Sequence, residues 1–145
     1  MTATPAQVVA AARAQLGVPW MHQARLPGVA LDCAGLVICI ARQLGLVPQC
    51  FDINDYARQA DGTLLQVCTQ HMLPLDALEL GAVLVVAIDR DPQHMGIVAD
   101  YRHGGWAIVH AASGAHPARV IETRLMFARG MQQRGIYRLP GVVVH

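Results

Sequence analysis

At Gly81 the chain changes period, and that change constrains the fold more than any other feature. Before it, apolar residues recur with helical spacing; after it, short β-branched runs alternate with turn signals. The helical half opens on Thr4-Pro5-Ala6-Gln7, a capping box with proline at the first helical position. It predicts a helix through Leu16 that stops at Gly17, then a loop over 18–31. A second helix is expected from near Cys33 to near Leu44, with Gly45 as its stop and an almost wholly apolar start that buries it on most sides. Residues 48–54 read as loop, 55–59 as a short helix broken by Gly62, 63–71 as a further helix, and 74–80 as a linker. Strands are expected at 82–88, 94–101, 106–111, 118–122 and 133–139, with a short helix at 125–130. Turns fall at Asp89-Arg90-Asp91-Pro92 and His103-Gly104-Gly105. Helices first and an antiparallel meander afterwards make an α+β domain.

A chain of 145 residues accommodates one domain, 1–145, with a sizeable core. Charged residues are 14% of the chain, against about 25% in typical domains. Such a surface is either filled by small polar residues or partly covered by a partner. With a net charge of +1 and scattered arginines, the chain lacks the clustered basic footprint of a nucleic-acid binder. Arg124, Arg129, Arg134 and Arg138 read as a solvated helix face and strand end. No run approaches the roughly 18 apolar residues of a membrane helix, so membrane insertion is not expected. The first five residues lack the basic and apolar regions of a signal peptide, and the cysteines, expected as reduced thiols, fit synthesis in a cytoplasm.

The chemistry centres on Leu31-Asp32-Cys33-Ala34-Gly35-Leu36-Val37. Asp32 caps the coming helix through its side-chain oxygen. Cys33 then lies in the first turn, where the helix dipole favours an anion and the thiol loses its proton more easily. Two histidines, His94 and His110, lie on later strands. His94 and Gly96 share one strand face, and the glycine leaves a gap where the Cys33 helix is expected to pack. His110 closes an apolar strand, and a buried imidazole needs a partner, for which His94 is the candidate. A cysteine at a helix start with histidines on a following sheet is the layout of a thiol hydrolase. His22 belongs to the loop expected to line the mouth of that site. Cys39 and Cys68 read as small core residues and Cys50 as a loop residue; there is no CxxC pair and no metal-ligand spacing. Neither a cofactor nor a metal is expected, and serine catalysis has no motif, Ser113 being the one serine.

The order Asp-Cys-small-Gly-Leu-Val, then His-x-Gly-Ile-Val, then a strand ending in His-Ala, resembles the NlpC/P60 family of cysteine peptidases, from 11–19 through Tyr137-Arg138. Residues 17–25, Leu31-Asp32-Cys33, 120–125 and 137–141 are similar to its phage-tail branch. The resemblance implies a minimal papain-like fold, with N-terminal helices on a mainly antiparallel five- or six-stranded sheet. It implies Cys33 as nucleophile, His94 as base and His110 as the polar third residue. The implied substrate is a peptidoglycan stem peptide, cut between D-glutamate and a diamino acid in many members. The implied setting is the bacterial cytoplasm at synthesis and a phage tail thereafter, with tail proteins as partners. Substrate contacts are expected from Asp32, Trp20, His22 and Ala34. Many relatives have serine where Ala34 stands, tyrosine where Trp20 stands, and Trp-Gly-Gly where the chain reads His22-Gln23-Ala24, so the substrate pocket differs. Two rival readings use the same residues: a structural tail-assembly module with a vestigial trio, and an amidase or acyltransferase.

Overall fold

The structure, a computed structural model, describes residues 2–53, 63–88, 91–127 and 131–144. Helix α1 (Pro5–Arg13) starts on the expected capping box: the Thr4 side chain accepts from the Gln7 N–H, and the Gln7 side chain accepts from the Thr4 N–H. It ends earlier than expected. Gln15 and Leu16 tighten into i→i−3 hydrogen bonds to Ala12 and Arg13, and Gly17, at φ +86°, then donates to the Val120 carbonyl. The chain is thereby turned onto the sheet at the point where continuation of the helix was expected.

The loop over 18–31 contains a hairpin that the sequence reading left out, β1 (Arg25–Leu26) paired with β2 (Ala30–Leu31). Its Leu26-Pro27-Gly28-Val29 turn has a Val29 N–H to Leu26 carbonyl bond and positive φ at Gly28, the type II pattern. Helix α2 (Cys33–Gln43) follows, then α3 (Thr63–His71), both close to expectation. The expected helix at 55–59 lies outside the described residues.

Six strands form one antiparallel sheet in the order β3-β8-β4-β5-β6-β7, comprising β3 (Leu73–Pro74), β4 (Val83–Ile88), β5 (Asp91–Asp100), β6 (Trp106–Ala112), β7 (Arg119–Arg124) and β8 (Met131–Arg138). Two boundaries differ from expectation. β5 starts at Asp91, inside the expected turn, and β3 pairs with β8 where a linker was expected; its Pro74 is tolerated because β3 is an edge strand. Residues 125–127 of the expected helix at 125–130 are not helical: the Leu125 N–H donates to the Trp106 carbonyl and extends the sheet contact instead. Residues 128–130 and the turn residues Asp89 and Arg90 lie outside the described ones.

Helix α2 packs across β5 and β6, α1 packs on α2 and β5, and α3 packs on β8. Val83 and Val85, Met95 and Ile97, and Val109 and Ala111 pack with the helices in one core. Leu84, Val86, Val98, Ile108 and Ile136 build a second cluster on the other face, with Leu75, Leu78 and Trp106 against it. The alternation explains why β4 reads as an unbroken apolar run: both of its faces are covered. Together these features give the α+β arrangement expected, with helices gathered on one side of an antiparallel six-stranded sheet.

Candidate active site

The site is built where α2 begins. Asp32, 2% exposed, is the N-cap; its Oδ1 accepts from the Gly35 N–H at 2.7 Å. Its Oδ2 accepts from the Gln23 N–H at 2.8 Å. A buried carboxylate needs a countercharge, and Arg25 supplies it, with Nη1 3.0 Å from Asp32 Oδ1. The same guanidinium donates to Asp52 Oδ1, Ala24 O and Ile53 O, so it ties the β1–β2 hairpin to the helix start and to the 52–53 loop. Burial works against ionisation of Asp52, and the Arg25 hydrogen bond, the Ile53 N–H and the charges of Arg25 and Arg42 together outweigh it, holding that carboxyl below its usual range. A Cβ on Gly35 would lie 2.2 Å from Ala24 O and 3.1 Å from Arg25 Nη1, so this glycine is what lets the fork reach the first turn of α2.

Sequence reasoning missed Arg25 and Asp52. The available signal was Asp32 itself: a carboxylate entering a wholly apolar helix has to find a cation. Asp32 caps the helix as expected, and both of its oxygens are engaged by the chain.

Cys33 is the first residue of α2, half-buried against the helix-side core. The other thiols are less suited to reaction. Burial pushes Cys39 up; burial and then the nearby Cys33 sulfur push Cys68 up to about 12. Cys50 is exposed on a loop, and all four thiols are free. Ala34 is buried behind Cys33. Trp20 and His22 flank the helix start: Leu31 bonds Pro19 O and the Met21 N–H through its backbone, and Trp20 packs on the helix-side core. His22 sits in the Met21–Ala24 turn, where Gln23 takes a φ of +59°.

His94 on β5 and His110 on β6 meet edge to face, with His94 Nε2 2.5 Å from His110 Nδ1. His110 is 8% exposed. Burial pushes His94 down to about 4; burial, then the His94 charge, push His110 down to about 3. Both rings are therefore neutral near pH 7, and one N–H is shared between them. The pairing expected between the two imidazoles is thus observed.

The gap expected at Gly96 is filled differently. A Cβ there would lie 2.7 Å from Ile108 Cγ1 and from Val109 O, so β6 makes the close approach, not the Cys33 helix. The physical reason is the pleat: Met95 and Ile97 face the helix-side core, and Gly96 lies between them on the other phase. A β-bulge between Val86/Ile88 and His94/Asp91 distorts the ladder at the His94 end, a device that re-aims side chains.

No protein-family profile and no curated protein matches this chain. Solved structures do. The NlpC/p60 domain of the peptidoglycan hydrolase SagA is 17% identical, with a TM-score of 0.60 over 94% of this chain and 100% of its own. The fold is that of an NlpC/p60 domain. An N-acetylmuramoyl-L-alanine amidase from Bacteroides uniformis ATCC 8492 is 11% identical, with the same TM-score of 0.60 over 94% of this chain and 98% of its own. Against an NlpC/p60 scaffold, the helix start carrying Cys33 and the imidazole pair on β5 and β6 belong to the two layers that α2 brings into contact. Among the described residues, no group of three or more His, Cys, Asp or Glu is arranged to hold a metal ion.

Proposed function

We propose that the protein is a cysteine-dependent hydrolase of amide bonds in bacterial cell-wall peptides, with Cys33 as nucleophile, His94 as base and His110 as the group that orients the base. The observation that carries this reading is the His94–His110 hydrogen bond on the strands across which the Cys33 helix packs. It is supported by the fold, which a peptidoglycan hydrolase domain and a muramoyl-alanine amidase share, and by the Asp-Cys-Ala-Gly-Leu-Val motif at 32–37.

The bond engages Nε2 of His94 and leaves Nδ1 as the nitrogen that serves the thiol. For Nδ1 to accept a proton, Nε2 must carry one, so His94 donates and His110 Nδ1 accepts. That tautomer keeps the base oriented and stabilises the imidazolium once the Cys33 proton arrives. Burial disfavours a standing imidazolium, so proton transfer accompanies attack of the sulfur on the amide carbonyl. The amine leaves with the proton from His94, and water hydrolyses the resulting thioester. The Cys33 backbone N–H, at the first helical position, is the oxyanion donor. The residue runs at 17–25 and 120–125 support a phage-tail setting for this chemistry.

The test is a digest of purified muropeptides, read by mass spectrometry. Wild type releases a product whose mass names the bond, whether inside the stem peptide or at the lactyl–alanine amide, and Cys33→Ala releases none. Absence of product with wild type, or equal product with Cys33→Ala, refutes the proposal.

A further inference from the structure

Beside the nucleophile lies a cavity of about 260 Å³ that the mechanism above does not use. One wall is the α2 stripe Ala34, Val37, Ile38 and Ala41, at the i, i+3, i+4, i+7 positions of a single helix face. Met95 of β5 and Cys68 of α3 face it. The residues directly after the proposed nucleophile and the proposed base, Ala34 and Met95, are thus both wall residues, and Cys33 packs against the same helix-side core as Ala34, Met95 and Cys68. Phe51 and His71 of the wall meet edge to face at 5.3 Å, and among the described wall residues His71 alone has a polar ring.

We infer that this cavity is a subsite for an aliphatic arm of the substrate attached next to the scissile carbonyl, so that the site takes amides carrying a long apolar side chain or acyl chain. The inference rests on the reading of Cys33 as nucleophile. Its argument is chemical complementarity. Among the described residues the wall offers no carboxylate, guanidinium, hydroxyl or amide side chain to a charged or polar group, and burying such a group unpaired is unfavourable. An apolar chain there loses its water and needs no partner. The volume falls just below the roughly 300–1,000 Å³ of whole-ligand sites, which suits one arm of a molecule whose polar remainder stays at the mouth.

The experiment uses N-alkyl chloroacetamides with methyl, butyl, hexyl and octyl chains. The Cys33 sulfur displaces chloride to form a thioether, quantified by peptide mass mapping and normalised to free glutathione in the same tube. Each methylene that enters the cavity raises the normalised Cys33 rate by up to about fourfold, the fold-change equivalent to ~0.8 kcal/mol per buried CH₂. Val67→Trp, which fills the cavity from α3, flattens the series, and hexanamide, which has no leaving group, slows the hexyl reagent in wild type. A flat series in wild type, or a hexanamide-insensitive hexyl rate, overturns the subsite. Because labelling needs no turnover, a steep series with no muropeptide cleavage supports the subsite while removing the proposed function, and cleavage with a flat series does the reverse.

Discussion

Replacing Arg25 tests how the helix start is held. Its side chain is 10% exposed and that of Asp32 3%, so their 3.0 Å contact is shielded from water. Arg25→Ala removes the countercharge and leaves a buried carboxylate that still accepts from the Gly35 and Gln23 N–H groups. Breaking a buried pair from one side costs about 3–5 kcal/mol. The Asp52 contact adds little, because that carboxylate is a third exposed and screened. At a urea slope of ~2 kcal/mol/M, the expected loss lowers the midpoint by roughly 1.5–2.5 M. Against a total stability of about 5–15 kcal/mol, Arg25→Ala is close to unfolding the chain. Arg25→Lys is therefore the informative companion: it keeps the charge, cannot serve Asp32, Asp52 and Ile53 O together, and is expected to lose about half as much. Equilibrium urea unfolding by circular dichroism reads both variants. A loss below about 1 kcal/mol for Arg25→Ala would refute the reasoning, since it would mean that Asp32 is solvated without its partner.

Three further outcomes follow from the geometry. Gly96→Ala places a methyl 2.7 Å from the Val109 carbonyl and Ile108 Cγ1; overpacking of that kind costs about 1–3 kcal/mol, and the melting temperature should fall by several degrees, with unchanged stability refuting the close approach. His94 and His110 are depressed to about 4 and about 3, below the unfolded value of ~6.5. The unfolded chain then binds more protons in that window, so stability is full above about pH 6.5 and is lost as pH falls toward 4; His110→Gln should flatten this dependence in urea titrations between pH 7 and 4, and an unaltered slope would count against the burial of the pair. Asp32→Ala removes the cap and the buried partner of Arg25, which keeps Asp52, for an expected loss of about 2–4 kcal/mol by urea unfolding, whereas a loss near the ~0.5 kcal/mol of an exposed cap would place Asp32 outside the network.

The parts of the fold legible in the sequence were those written locally. Thr4 and Gln7 sit three residues apart and cap α1 without help from elsewhere. The run through β4 and the helical stretch at 63–71 likewise carried their own signals. What escaped depends on partners distant in sequence. α1 ends at Arg13 because Gly17 is claimed by Val120, a hundred residues on. The β1–β2 hairpin was announced by Pro27-Gly28, but two-residue strands are too short for periodicity to register. In the site, the His94–His110 contact was anticipated because burial obliges an imidazole to find a partner. Arg25 was not anticipated, since no local pattern says which of the scattered arginines answers Asp32. The Gly96 notch was located correctly on its strand but given to the wrong neighbour, because a strand pattern does not name the element that fills a gap.

The unbroken apolar character of β4 has one more consequence. With both sides of the strand equally greasy, sliding it by one position would exchange two similar surfaces at little hydrophobic penalty, so polarity does not choose the alignment. Shape must choose it instead: the irregularities beside Val86 on both flanking ladders are keyed to one alignment of β4, as the lock of Ile108 into the hollow at Gly96 is keyed to one alignment of β5 on β6. The meeting of the two imidazole rings is therefore fixed by a mechanical key cut into the centre of the sheet.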